Sequence, residues 1–191
     1  PKDFQFISRN GGGQNFIHIG RLDPSKNLNK IIDLLFCSEN AGNDYQLLQI
    51  GSPSSPKFDM YKDEIFHKYY NLLDSGTLQV ISSIPRRDIP KQLSGSDVFI
   101  HAFQGSLDKT LVEATLTAIP VATVNKEYLK IFGKWNYSNS NNQPSLASEL
   151  RFILSSGANA ISKEVDRRYE IARTNHDMEG WINRLVNVLE H

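Results

Sequence analysis

Short apolar runs alternate with amphipathic stretches along most of the chain. Asn15-Phe16-Ile17-His18-Ile19 reads as a buried strand, and Gly20 to Ser25 as a turn in which Asp23 and Pro24 are suited to cap and open a helix. Leu28, Ile31, Ile32, Leu35 and Phe36 then recur at the i, i+3, i+4, i+7, i+8 spacing of one helical face. The unit repeats in kind. Tyr45 to Ile50 is a strand ending at Gly51, Ser52 to Pro56 a loop, and Ile65, Phe66, Tyr69, Leu72 and Leu73 mark a second helix. Leu78 to Ile81 predicts a third strand, Asp88 to Leu93 a short helix, Val98 to Ala102 a fourth strand, Lys109 to Thr117 a helix and Val121 to Val124 a fifth strand. Strands that are apolar on both faces and alternate with helices predict an α/β, Rossmann-like doubly wound parallel sheet with helices on both sides.

The C-terminal part changes character. Tyr137 to Ser145 is a polar loop, and helical patterns follow at about Ser145–Ser155, Ile161–Arg173 and Asp177–Val188, the last carrying the apolar stripe Trp181, Leu185, Val188. There is no internal repeat. The expected organisation is a flexible segment over residues 1–13, closed by Gly11-Gly12-Gly13, one Rossmann-like domain over 14–188, and a tail over 189–191. The chain starts at Pro1, and Leu189-Glu190-His191 resembles the junction of a vector-encoded tag, so the sequence is read as a piece of a longer protein.

Composition sets outer limits. In 191 residues, 39% are hydrophobic, which is enough apolar material for a core. Lys+Arg and Asp+Glu both number 21, so the formal net charge is zero, which argues against nucleic-acid binding by bulk charge. No apolar run reaches the roughly 18 residues of a membrane span. The single cysteine, Cys37, excludes an internal disulfide framework and a cysteine-rich zinc site. A lone thiol fits a reducing compartment. A cytoplasmic location is expected, with any contact to a membrane surface assigned to a missing half of the protein.

In an open parallel sheet, ligands bind outside the carboxyl ends of the strands, near the point where strand order reverses. On that edge this sequence collects Gly20 and Arg21, Gly51, Ser82-Ser83-Ile84, the run Gln104-Gly105-Ser106-Leu107-Asp108-Lys109-Thr110, and Asn125. Arg21 and Lys26 flank a turn and a helix start, which suits a phosphate or diphosphate clamp; two solvated surface cations are the alternative. The Gly105–Asp108 loop leads into a second helix start that offers backbone N–H donors to an anion. Glu113 lies close behind, either facing the crevice or completing a Thr110-x-x-Glu113 capping box.

Other motifs fall away. The glycine run precedes its strand and lacks the G-x-G-x-x-G spacing, and no P-loop or G-x-S-x-G elbow exists. His18 and His101 lie on strands and are expected to be packed and hydrogen-bonded, with no metal site and no cofactor. Asn136-Tyr137-Ser138 matches a glycosylation triplet that arises often by chance.

Together the pieces resemble a known family. The segment FIHIGRLDPSKNLNKIIDLL is similar to the start of the C-terminal domain of family-4, or group 1, glycosyltransferases, where a strand ends in Gly-Arg-Leu and a lysine follows the arginine five residues later. The segment SDVFIHAFQGSLDKTLVEATLTAIPVAT is similar to that domain's second signature, and YQLLQIGS and LQVISSIPRRDIPKQLSGSD fall between them in the right order. The resemblance spans about residues 14 to 188. It implies one half of a GT-B enzyme, the half that holds a nucleotide-sugar donor, with UDP or GDP as the nucleotide. An absent N-terminal domain would hold an acceptor of unknown kind. By position, Gly20 would end the first strand at the donor, and Arg21 and Lys26 would hold its diphosphate and stabilise the leaving group. Backbone N–H groups around Lys109, Thr110 and Leu111 would meet the distal phosphate, Ile84 the base through its backbone, and Glu113 the ribose hydroxyls. Such enzymes typically retain anomeric configuration. The family often carries a first glutamate eight residues before the second; here that position is Gly105, which leaves Asp108 as the nearest carboxylate for the sugar. The contrasting reading is a GT-B-like domain without catalysis that binds a protein partner in the cleft.

Overall fold

Phe16, Ile17, His18 and Ile19 are all buried in β1 (Asn15–Ile19), as a strand covered on both faces requires. In this computed structural model, which describes residues 14–37, 40, 42–135 and 145–175, β1 lies in the middle of a five-stranded parallel sheet. The remaining strands are β2 (Gln46–Ile50), β3 (Leu78–Ile81), β4 (Val98–His101) and β5 (Val121–Thr123), in the order β3-β2-β1-β4-β5. The chain therefore winds outward from β1 through β2 to β3, then returns to place β4 on the other side of β1. That reversal between β1 and β4 is the topological switch point of a doubly wound fold.

Alternate side chains feed two cores. Phe16, Leu47, Leu78, Val98, Ile100 and Ala122 pack on one side, against α1 (Leu28–Leu35), α2 (Asp59–Lys68) and α7 (Leu146–Ser155). Ile17, Ile19, Ile50, Phe99 and Val121 pack on the other, against α4 (Ile89–Ser94), α5 (Lys109–Leu116) and α6 (Lys126–Phe132). The short α3 (Tyr70–Asp74) follows α2, and α8 (Ala158–Asn175) contributes Val165 to the first core and Ala172 to the second.

Three expectations need correction. Asp23 and Pro24 do not open α1: the Asp23 carboxylate accepts from the Ser25 N–H and caps a separate 3-10 turn, Pro24–Lys26, which ends at Asn27 in the left-handed region (φ 54°) before α1 begins. The second helix is not continuous. It breaks at Tyr69, which is buried and donates from its hydroxyl to Asp33 at 2.7 Å, while Phe66 faces solvent instead of the core. Finally, α6 was not expected. Asn125 accepts from the Tyr128 N–H at 2.9 Å as its N-cap, and Tyr128 and Phe132 stack one turn apart with centroids 4.4 Å apart. The segment over residues 1–13, the triplet at Asn136, nearly all of the polar loop before Ser145 and the helix with Trp181, Leu185 and Val188 lie outside the described residues.

The turn after β1 is wedged against the turn after β2. Gly51 has φ +147°, and a Cβ there would lie 2.0 Å from the Gly20 carbonyl oxygen. A Gly51→Ala substitution is expected to lower unfolding stability by about 2 kcal/mol or more, through a strained backbone and a displaced Gly20. Gly157→Ala is the control: its Cβ meets open space, and its effect should stay within about 0.5 kcal/mol. Urea denaturation of both variants tests this, and equal stabilities would refute the wedge.

Candidate functional site

The carboxyl ends of β1 and β4 open side by side at the switch point, where Lys26 and Asp108 are brought together, while Ile84 follows β3, two strands from β1. The two loops are tied together. The Asn27 side chain donates to the Ala102 carbonyl at 3.2 Å, and the turn after β1 is also held from β2, where the Gln49 side chain donates to the Gly20 carbonyl at 2.8 Å. Above them, Lys26 Nζ donates to Asp108 Oδ2 at 2.5 Å and lies 3.9 Å from the centroid of the Phe103 ring.

The two readings of the cations separate. Arg21 is exposed at the rim, as a solvated cation would be. Lys26 is not: its side chain is only 9% exposed, held between a carboxylate and an aromatic face. A buried ammonium requires such partners, because desolvating it without compensation is costly.

Asp108, not Thr110, is the N-cap of α5; it has extended backbone, and its Oδ1 accepts from the Thr110 N–H at 3.3 Å and the Thr110 hydroxyl at 3.1 Å. The capping-box reading of Thr110 and Glu113 is therefore wrong. Glu113 instead turns its nearly buried carboxylate outward to Arg86, whose Nη2 lies 2.8 Å from Oε1. Burial raises the Glu113 carboxyl, and the Arg86 charge and hydrogen bond oppose that rise. Lys109 is exposed, Thr110 half-buried and Leu111 buried in the second core. Ile84 is half-buried against the same core in the loop after β3, next to the turn that presents Arg86.

Beneath Lys26 runs a chain of buried polar groups. Burial alone would raise the Asp108 carboxyl, but hydrogen bonds from His101 and Lys26, and their charges, hold it far below the usual carboxylate range. An ionised carboxylate only accepts, so His101 Nε2 carries the proton toward it at 3.4 Å. His101 Nδ1 then accepts from the Thr123 hydroxyl, whose oxygen in turn accepts from the Asn125 N–H at 3.1 Å. Asn125 Nδ2 reaches the carbonyls of Phe103, Gly105 and Ser106 at 3.1–3.2 Å, which pins the loop between β4 and α5. His18 is fully buried beside His101 and donates from Nδ1 to the Ile100 carbonyl at 2.9 Å, while Nε2 has no partner and faces Gly20. Burial, with the neighbouring His101, lowers the His18 pKa to about 3, and burial lowers that of His101 against the pull of Asp108.

Sequence reasoning assigned no part to Phe103, His101, Arg86 or Asn125. The one available signal was their placement on the same sheet edge, where Asn125 had been noted. Among the described residues, no group of three or more His, Cys, Asp or Glu side chains is placed to hold a metal ion, and no helix is long and apolar enough to cross a membrane.

No protein-family model matches the chain, and no curated protein matches it in sequence. Solved structures match it closely in fold, and they are GT-B glycosyltransferases. HepE from Anabaena, in complex with UDP and glucose, aligns with a TM-score of 0.73 at 16% identity, over 93% of this chain and 48% of that one. A mutant form of TarM from S. aureus, in complex with UDP, fondaparinux and α-GlcNAc-glycerol, aligns at 0.69 and 16% identity, over 97% and 38%. The C-terminal domain of the group 1 family glycosyltransferase LpcC from Francisella tularensis aligns at 0.72 and 16% identity, over 93% of this chain and 97% of that domain. The chain thus has the Rossmann-like fold of a GT-B C-terminal domain, and it spans half or less of the length of HepE and TarM.

The buried histidines fix the acid response. His18 titrates near 6.5 when unfolded and near 3 when folded, so between these values the unfolded chain binds the extra proton. Stability therefore falls as pH falls through this window, by up to about 1.4 kcal/mol per pH unit. Asp108, lowered on folding, acts in the same direction: its contribution is present above its unfolded value of 3.8 and is lost as pH falls toward its folded one. His18→Leu is expected to reduce the slope of unfolding free energy between about pH 6 and pH 4.5 by about 1 kcal/mol per unit. An unchanged slope would show that His18 is charged in the folded chain.

Proposed function

We propose that this chain is the donor-binding domain of a retaining glycosyltransferase, taking a nucleoside diphosphate sugar, with UDP preferred over GDP. The observation that carries the proposal is the buried Lys26 paired with Asp108, the N-cap of α5, at the β1–β4 switch point of a GT-B-type fold, to which the resemblance adds Arg21 and Glu113. HepE and TarM, which share the fold, hold UDP in their structures, which supports the choice of nucleotide.

Each group has a chemical task in this reading. Transfer breaks the bond between the anomeric carbon and the donor's distal phosphate oxygen through an oxocarbenium-like state, and negative charge grows on the departing diphosphate. Lys26 and Arg21 stabilise that charge, Lys26 from beside the α5 N-terminus and Arg21 from the exposed rim. The backbone N–H groups of Lys109, Thr110 and Leu111 add donors at the helix start. The Glu113 carboxylate accepts from the ribose hydroxyls, and the Ile84 backbone meets the base. Gly20 keeps the end of β1 low enough for the donor to approach. Asp108 is the nearest carboxylate to the sugar. The catalytic unit is completed by an N-terminal domain that holds the acceptor, in keeping with the fraction of HepE and TarM that this chain spans. A cytoplasmic location, with membrane contact through that other domain, belongs to the same proposal.

Calorimetric titration of the purified chain with UDP, GDP, ADP and CDP tests the reading. UDP should bind most tightly, Lys26→Ala should weaken it by about tenfold or more, and Glu113→Ala by a similar factor. The chain alone should transfer no sugar. Failure of all four nucleotides to bind at millimolar concentration would refute the donor reading and favour a non-catalytic, partner-binding GT-B-like domain.

A further inference from the structure

Asp108 does not depend on Lys26. Its Oδ1 accepts two bonds from Thr110, and its Oδ2 accepts from His101 as well as from Lys26. Without the ammonium the carboxylate would still have three donors, one of them on an imidazole that is fully buried and oriented by Thr123. Lys26 is likewise not tied to Asp108 alone, since the Phe103 ring supports it from the other side. That ring is itself fixed. It lies against the bare backbone of Gly105, where a Cβ would come within 2.1 Å of Phe103 Cζ. The geometry is therefore that of a cation with one exchangeable anionic partner and one permanent apolar one. The exchangeable partner presents a charged oxygen at 2.5 Å, a contact of the kind that a phosphate oxygen would also make with Lys26.

We propose that Asp108 is an internal competitor for the diphosphate at Lys26: a phosphate oxygen of the donor takes the place of the Asp108 carboxylate, and this exchange weakens the hold on the nucleoside diphosphate. The proposal rests on the donor-binding reading and adds a task to it. Lys26 reaches the donor only by leaving a partner that remains satisfied, so the exchange is reversible. Asp108 then stands as a like charge beside the phosphate and favours release of the diphosphate after transfer. Asp108 is in this account a tuning residue that acts through Lys26.

Calorimetric titration with UDP of the wild-type chain, Asp108→Asn, Lys26→Met and the double variant tests it. Asparagine caps a helix as well as aspartate does, so α5 is retained; should Asp108→Asn fail to fold by circular dichroism, Asp108→Ser, also a good cap, replaces it with the same expectation. Asp108→Asn should bind UDP roughly tenfold more tightly than wild type. In the Lys26→Met background the same change should gain less than about threefold, because no cation remains to compete for. Equal gains in both backgrounds would mean simple repulsion and would overturn the exchange. So would unchanged or weaker binding by Asp108→Asn, and if Lys26→Met still lowers wild-type affinity, the donor reading survives that result. Binding of UDP by Asp108→Asn but not by wild type supports the proposal; binding by neither at millimolar concentration overturns the proposal and the donor reading together.

Discussion

The ion pair between Lys26 and Asp108 joins two segments that are 82 residues apart in sequence, and the architecture of the site follows from it. Lys26 would not be stable at this depth alone, since a buried charge without a partner carries a large desolvation penalty, whereas Asp108 also accepts from His101 and Thr110. They meet because β1 and β4 are neighbours in the sheet, which in turn requires the chain to reverse its winding after β3. The 3-10 turn set by Asp23 and ended by Asn27 lifts Lys26 over the end of β1, and the Asn27 side chain fastens that turn to the end of β4. A ligand crevice at a switch point is a general property of doubly wound sheets. Here it is made specific by one buried cation.

A second pair repeats the logic at lower depth. Glu113, on the same helix as the Asp108 cap, is nearly buried, while its partner Arg86 is mostly in solvent. An exposed guanidinium gains little from such a pair and leaves it at small cost. The two pairs thus differ in depth: Lys26 is held between Asp108 and the Phe103 ring, whereas Glu113 is met from the solvent side.

The fold was legible because its signals are local. Each strand is a short apolar run bounded by glycine, proline or serine, and α1 announces itself through Leu28, Ile31, Ile32 and Leu35 on one face. The elements that were missed depend on contacts no local pattern encodes. In α6 the cap is Asn125, directly after a strand, and its buried face is an aromatic stack with one turn of support. The break before α3 is set by Tyr69 reaching back to Asp33 on α1. At the candidate site, residue type pointed to the carboxyl edge of the sheet, and the resemblance named Arg21, Lys26 and Glu113. The partners were not legible. Nothing in the sequence near Lys26 shows that Asp108 and Phe103 enclose it, and the Thr110–Glu113 spacing suggested a local cap where the structure holds a long-range pair with Arg86.

A chain of zero net charge can therefore hold a strongly polar crevice without a basic surface. Lys26 and Arg86 are each matched by a carboxylate and the whole chain is neutral, so the long-range field that would attract any polyanion is small. Selectivity then arises at short range. An anion is favoured only if it fits between Lys26 and the α5 N-terminus closely enough to outcompete a carboxylate that is already in place. A nucleoside diphosphate has two features that a single phosphate lacks. It offers more than one charged oxygen to the cations, and its ribose hydroxyls can engage Glu113 in place of Arg86. The paired arrangement discriminates against simple anions for the same physical reason that it weakens the hold on the product, because each bound phosphate must replace an interaction that the free protein already makes.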